Sequence, residues 1–282
     1  MNDIQIYEPS SRRKLGILRP LKIMFKNVLR YRELILQLFV RDFFGGFKKS
    51  IFGMGWLFVS PILGIVSWIF LNSTGILEPG DVGVPYPAYV LVGSLIYGLF
   101  MGFYGAASGT IAAGGGFIMQ VNYPHEILLV KQVAQYLSNF VIGFVPNILA
   151  LMVFGITLHW EILLFPFMIL PLFFLGAGLG LFVAVSNMVS NDIGTVIGFL
   201  LSFVQIATPI VYSTTVNSSL LQEVIKWNPL TYLVTNVRDM IFFGQMKSPE
   251  GYFIAAFLSL LFFLFSWRLF YLSEQRVLEK IL

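Results

Sequence analysis

Cysteine is absent from the 282-residue chain, which excludes disulfides, thiolate metal sites and cysteine nucleophiles together. Charge is scarce too: Asp, Glu, Lys and Arg make up 11% of the residues, against about a quarter in soluble domains. Between residues 51 and 272 the ionisable groups fall in expected loops or at the ends of apolar runs. None marks the middle of a bilayer, where proton- and sodium-coupled carriers keep a carboxylate to bind and release the ion, so ion-coupled transport is disfavoured. There is no GxxxxGK[ST] phosphate loop. The glycine-rich run at 109–116 has no lysine after it and closes an apolar run, leaving close helix packing or an unwound turn as its use. His125 and His159 are the two histidines; they stand apart, without the spacing of a metalloprotease, and no metal site is expected. No paired carboxylates suit a membrane-embedded enzyme, no catalytic residue is assigned, and no internal repeat supports an inverted-repeat carrier.

What is present is apolar length. Hydrophobic residues make up 57% of the chain, in repeated runs near the roughly 20 residues needed to cross about 30 Å of hydrocarbon. The expected fold is an all-α polytopic membrane protein with six transmembrane helices, near residues 51–72, 88–108, 133–157, 161–188, 193–212 and 252–272. Ser190 is a candidate N-cap for the fifth. Eleven of the 18 Lys and Arg precede residue 50, a topological signal rather than a nucleic-acid face. Six spans with both termini inside place 15 Lys and Arg in the cytoplasm and three outside, as the positive-inside rule requires.

Residues 1–27 read as an extended, basic cytoplasmic arm, too polar for a secretory signal peptide. Residues 28–47 read as an amphipathic interface helix. Arg30, Glu33, Gln37 and Arg41 recur at steps of three and four on one face, opposite Tyr31, Ile35, Leu36, Leu38, Phe39 and Phe43, with Arg32 and Asp42 interrupting the apolar arc. Such a helix rests against membrane lipid at the headgroup boundary until Gly45 and Gly46 end it. Residues 119–131, with Pro124, His125, Glu126 and Lys131, form a short internal segment. Residues 213–250 hold two short external helices, about 216–246, that dip back toward the membrane with Asn228 and Pro229 between them. Residues 273–282 are a cytoplasmic tail.

The segments RYRELILQLFVRDF, FGMGWLFVSPIL, YPHEIL, TPIVYS and NPLTYLVTNVRDMIF, in that order across six spans, resemble the ABC-2 type permeases that export polysaccharides: the membrane subunits of O-antigen, capsule and teichoic acid transporters. The resemblance implies a homodimer joined to two separate ATPase subunits, which hold the ATP and magnesium. This chain needs no cofactor of its own. The implied cargo is a polyprenyl-diphosphate-linked polysaccharide carried outward across a bacterial inner (plasma) membrane. It implies that Glu33, Arg41 and Asp42 lie beside the ATPase, and that Tyr123, Pro124, His125 and Glu126 belong to the coupling helix that docks into it. Glu126 can equally cap its own helix, and His125 can be a solvated interface residue. Where the family often has basic residues after the Arg-Asp pair, this chain has FFGGF.

Tyr97, Phe100 and Tyr104 share a face of the second span, and Tyr212 closes the fifth. They are candidates for stacking on sugars in a glycan conduit, or for ordinary packed or lipid-facing aromatics. Arg238 and Asp239 are either a surface pair or a device in which Arg238 orients the external helices or meets an emerging diphosphate. The competing functions are an ABC-2 exporter of a drug or lipid and a membrane-embedded enzyme or scaffold.

Overall fold

The computed structural model describes residues 18–47, 51–76, 79–111, 124–157, 159–215 and 218–281, and every regular element among them is a helix. Helix α1, Leu18–Arg30, replaces the last part, 18–27, of the extended arm expected over 1–27, whose first 17 positions lie outside the described residues. Pro20 falls in its first turn, where no intrahelical N–H is needed. Leu21, Met24 and Val28 then recur on one face, and Met24 is fully buried. The backbone ladder continues through Tyr31, whose N–H bonds Asn27 O at 2.9 Å and whose carbonyl accepts from Ile35 at 3.0 Å. Helix α2, Arg32–Phe47, follows directly and contains Gly45 and Gly46 without breaking.

Among the described residues, five helical stretches are long and apolar enough to cross a membrane. They contain α3 (Trp56–Ser73), α4 (Tyr86–Ser108), α5 (Glu126–Val153), α6 (Leu170–Ser186) and the part of α10 (Pro249–Ile281) up to Ser273. The fourth stretch starts at Trp160 and reaches α6 through two short helical turns. The fifth expected span corresponds to α7, Asn191–Ala207, a shorter apolar helix of 17 residues, about 25 Å at 1.5 Å per residue. Its end, expected near 212, comes early for a local reason. Pro209 disfavours helical geometry in the residue before it, and Thr208 is extended at φ −92° and ψ 130°. Ser190 caps its start by accepting from Asp192 N at 3.2 Å.

Two other boundaries differ from expectation. The short internal helix thought to precede the third span is the opening of α5, one helix of 28 residues, because nothing between Glu126 and Val133 breaks the backbone ladder. The expected tail continues α10 to Ile281. The two short helices expected within about 216–246 are found as α8, Ser219–Trp227, and α9, Pro229–Phe243.

Helix α4 is the centre of the packing, with Ile96, Leu99, Phe100 and Phe103 buried. Helix α6 lies against it because small residues let the backbones meet. A Cβ at Gly176 would sit 2.6 Å from Phe100 O, and one at Gly180 would sit 2.5 Å from Tyr104 O. The four-residue spacing puts both on one face, the small-xxx-small contact that stands in for hydrophobic collapse where lipid is as apolar as leucine. Gly178, on another face, meets the Phe263 backbone of α10 in the same way, at 3.1 Å.

The passes alternate, so the bundle has two distinct ends. One gathers α1 and α2, the start of α5 and the ends of α4, α6 and α10, around Met24, Leu129, Leu181 and Phe270. It carries Arg19, Lys22, Lys26, Arg30, Arg32, Arg41, Lys131 and Arg268 and is the basic end. The far end holds α8, α9 and the strap at 208–213.

Candidate functional site

At the basic end three elements converge. Helix α2 seats Ile35 and Leu38 on Ile127 and Leu128 of α5. One helical turn past Leu38, Asp42 reaches Lys131, whose Nζ lies 2.8 Å from its Oδ2. Arg41 Nε donates to the other carboxylate oxygen at 2.7 Å. The Arg41 hydrogen bond holds the Asp42 carboxyl below the usual carboxylate range, and Lys131 adds to this against the opposing effect of partial burial. Asp42 therefore interrupts the apolar arc of α2 because it has an ion-pair partner beneath the helix. Glu126, only 1% exposed, accepts from Asn27 Nδ2 of α1 at 2.8 Å.

The ATPase-coupling candidates are thus gathered at one end, though not all on its surface. Glu33 and Arg41 are exposed, Asp42 and Pro124 are half-buried, and His125 and Glu126 are buried. Tyr123 lies outside the described residues. Sequence reasoning placed Lys131 in the internal segment without its partner Asp42, and missed Asn27. The available signal was a lysine inside the first two turns of an apolar helix.

Beside this cluster a cleft of about 440 Å³ opens between the ends of α4, α6 and α7, lined by Tyr104, Ser108, Asn187, Asn191 and Thr195 with Gly105, Gly109, Val183 and Gly194. Its lining is uncharged and rich in hydrogen-bonding groups. Of the conduit candidates, Tyr104 faces this cleft. Tyr97 is buried and donates to Leu201 O of α7 at 3.1 Å, and Phe100 is 1% exposed in the core. Tyr212 is at the far end, its hydroxyl donating to Ile206 O at 2.8 Å. The structure does not bring these four rings into one path within a single chain.

At the far end the strap left by the end of α7 has carbonyls with no helical partner, and neighbouring elements supply donors. Arg238 of α9 donates to Pro209 O at 2.8 Å, and Tyr89 of α4 donates to Tyr212 O at 2.8 Å. Asn228 caps α9 by accepting from Leu230 N at 3.0 Å and donates to Thr208 Oγ1 at 2.9 Å. The Arg238 guanidinium lies over the Tyr89 ring, 3.8 Å from its centroid. At 2% exposure Arg238 is inside the chain, not half of a surface pair. Asp239 pairs with Lys247 at 3.9 Å; burial pushes its carboxyl up, with Lys247 and then Arg238 opposing.

A polytopic helical bundle with a basic end, a surface helix pair locked to it and an uncharged polar cleft beside that end has the form of a transporter's membrane component. The sequence pattern of the family described as ABC-2 type transporter matches residues 33–242, and the chain belongs to that family, the membrane-spanning part of transporters served by an ATP-binding cassette partner. It is also similar to the O-antigen export system permease protein RfbA of Myxococcus xanthus, with 24% identity over 231 residues, 80% of this chain and 87% of the relative.

Proposed function

We propose that this chain is the permease subunit of an ATP-driven exporter of a polyprenyl-diphosphate-linked polysaccharide of O-antigen, capsule or teichoic acid type. Two copies work with two ATPase subunits, which supply the ATP and magnesium. The complex lies in the bacterial inner membrane, with the basic end and both termini in the cytoplasm. The observation that carries the reading is the likeness to an O-antigen export permease over four fifths of the chain. The cleft beside the basic end supports it: Tyr104, Ser108, Asn187, Asn191 and Thr195 offer one aromatic face and uncharged donors and acceptors, the chemistry that suits sugars. A drug or a phospholipid would want a larger apolar surface there. The distribution of Lys and Arg between the two ends supports the orientation.

Deleting the chain in its native host tests the reading. Surface polysaccharide should disappear while lipid-linked glycan accumulates facing the cytoplasm, and restoring the chain should reverse both. Intact surface glycan with altered drug tolerance or altered phospholipid asymmetry would instead favour the drug or lipid exporter.

A further inference from the structure

The apolar seat of α2 on α5 gives adhesion without register, because hydrophobic contact has no direction. Among the described residues two polar contacts supply register, one on α2 and one on α1, and both run inward. Lys131 keeps 7% of its side chain exposed and places Nζ 2.8 Å from Asp42 Oδ2. Glu126 is 1% exposed and receives Asn27 Nδ2 at 2.8 Å. A carboxylate buried to that degree cannot be the charge that a partner subunit meets; Arg30, Arg32, Glu33 and Arg41 are exposed charges on the same surface. Glu126 and Lys131 are five residues apart, about 140° around a helix at 3.6 residues per turn. They therefore grip from different sides, one holding α1 and the other α2. Charge-assisted bonds of this length are directional and resist sliding.

Resting on the reading of the chain as an ATP-driven permease, we propose that Lys131 through Asp42, and Glu126 through Asn27, lock the two surface helices onto the basic end of α5, so that a displacement imposed on α1 and α2 by the ATPase enters the membrane as a movement of α5. Lys131 is on this account a positioning residue for the transport stroke. It touches neither the cargo nor the nucleotide.

This chain has no native cysteine, so, with any thiols of the ATPase replaced, labels report only the positions introduced. Nitroxide labels at Leu36→Cys and Ser138→Cys, across the groove between α2 and α5, report the spacing of the two helices in the full permease–ATPase complex in lipid nanodiscs. The lock predicts one narrow distance within each copy, the same without nucleotide and with ATP plus vanadate. Lys131→Met should broaden that distance and lower export at least about tenfold while the complex still assembles and hydrolyses ATP; Lys131→Arg should keep both narrow distance and export. A distance that shifts with nucleotide in the otherwise unsubstituted complex, or full export by Lys131→Met, overturns the proposal. Should Lys131→Met fail to assemble, the exchanged pair Lys131→Asp with Asp42→Lys decides: recovered assembly with a narrow distance supports the lock, and continued failure overturns it. If the complex moves no glycan at all, the transport reading falls, and the distances alone judge the lock.

Discussion

Arg238 places a guanidinium over the ring of Tyr89 and one of its N–H groups on Pro209 O. Both contacts depend on a planar, charged fork, which lysine cannot reproduce. Arg238→Lys should therefore lower stability by roughly 2 kcal/mol, seen as a lower thermal unfolding midpoint in detergent. An unchanged midpoint would mean that the strap at 208–213 holds without it. The sequence showed Arg238 beside Asp239 and suggested a surface pair, an orienting device or a diphosphate contact, since adjacency along the chain reveals nothing of Tyr89 or Pro209. Asp42 supports a pH prediction with a definite sign. Its carboxyl is lowered, so its contribution to holding α2 is full above the ordinary carboxylate value, about 3.9, and is lost as the pH falls through the lowered one. A spin label at Leu36→Cys should keep its mobility from pH 8 to pH 5 and loosen only below about pH 4; Asp42→Asn should leave it loose throughout. Asp239 is raised and works in the opposite sense, protonating first on acidification, with the folded chain favoured by that step.

Glycine in α6 acts at the scale of whole helices. A Cβ at Gly180 would meet Tyr104 O at 2.5 Å and Ala107 Cβ at 2.6 Å, so Gly180→Val must push α6 off α4. Overpacking of this kind costs about 1–3 kcal/mol or more, and folded yield should fall with it. Gly98 has nothing within 4 Å of its Cβ position, so Gly98→Ala should be neutral or stabilising by up to about 1 kcal/mol. Equal losses in the two variants would remove the close-contact account. The spans were legible because lipid demands apolar length, and α8 and α9 because Asn228 and Pro229 announce a cap and a first turn. Helix α1 was not, since Arg19, Lys22 and Lys26 spread charge through it and obscured the stripe of Leu21, Met24 and Val28. The short segment expected at 119–131 was misread as separate because Lys131 looked like the end of a polar stretch; from Glu126 on it is the foot of α5, with Lys131 paired to a residue 89 positions away, and 119–123 lie outside the described residues.

Across the whole molecule the two ends differ in kind. The basic end offers exposed charge on a locked pair of surface helices beside an uncharged cleft, and the far end is a strap held by Arg238, Tyr89 and Asn228. Periodicity indicated which residues would share a helix face. Which helices would meet depended on contacts between distant segments, such as Gly176 on Phe100 and Trp267 on Met24, and no local pattern encodes those. The division of labour that follows is a chain that supplies the path and a partner that supplies the energy. Purifying the chain, reconstituting it in liposomes with and without its ATPase subunit, and following a polyprenyl-diphosphate glycan across the bilayer tests that division most directly. The account predicts no ATP hydrolysis and no translocation by the chain alone, and ATP-dependent translocation once the ATPase is added. Translocation by the chain alone under a proton or sodium gradient would contradict it.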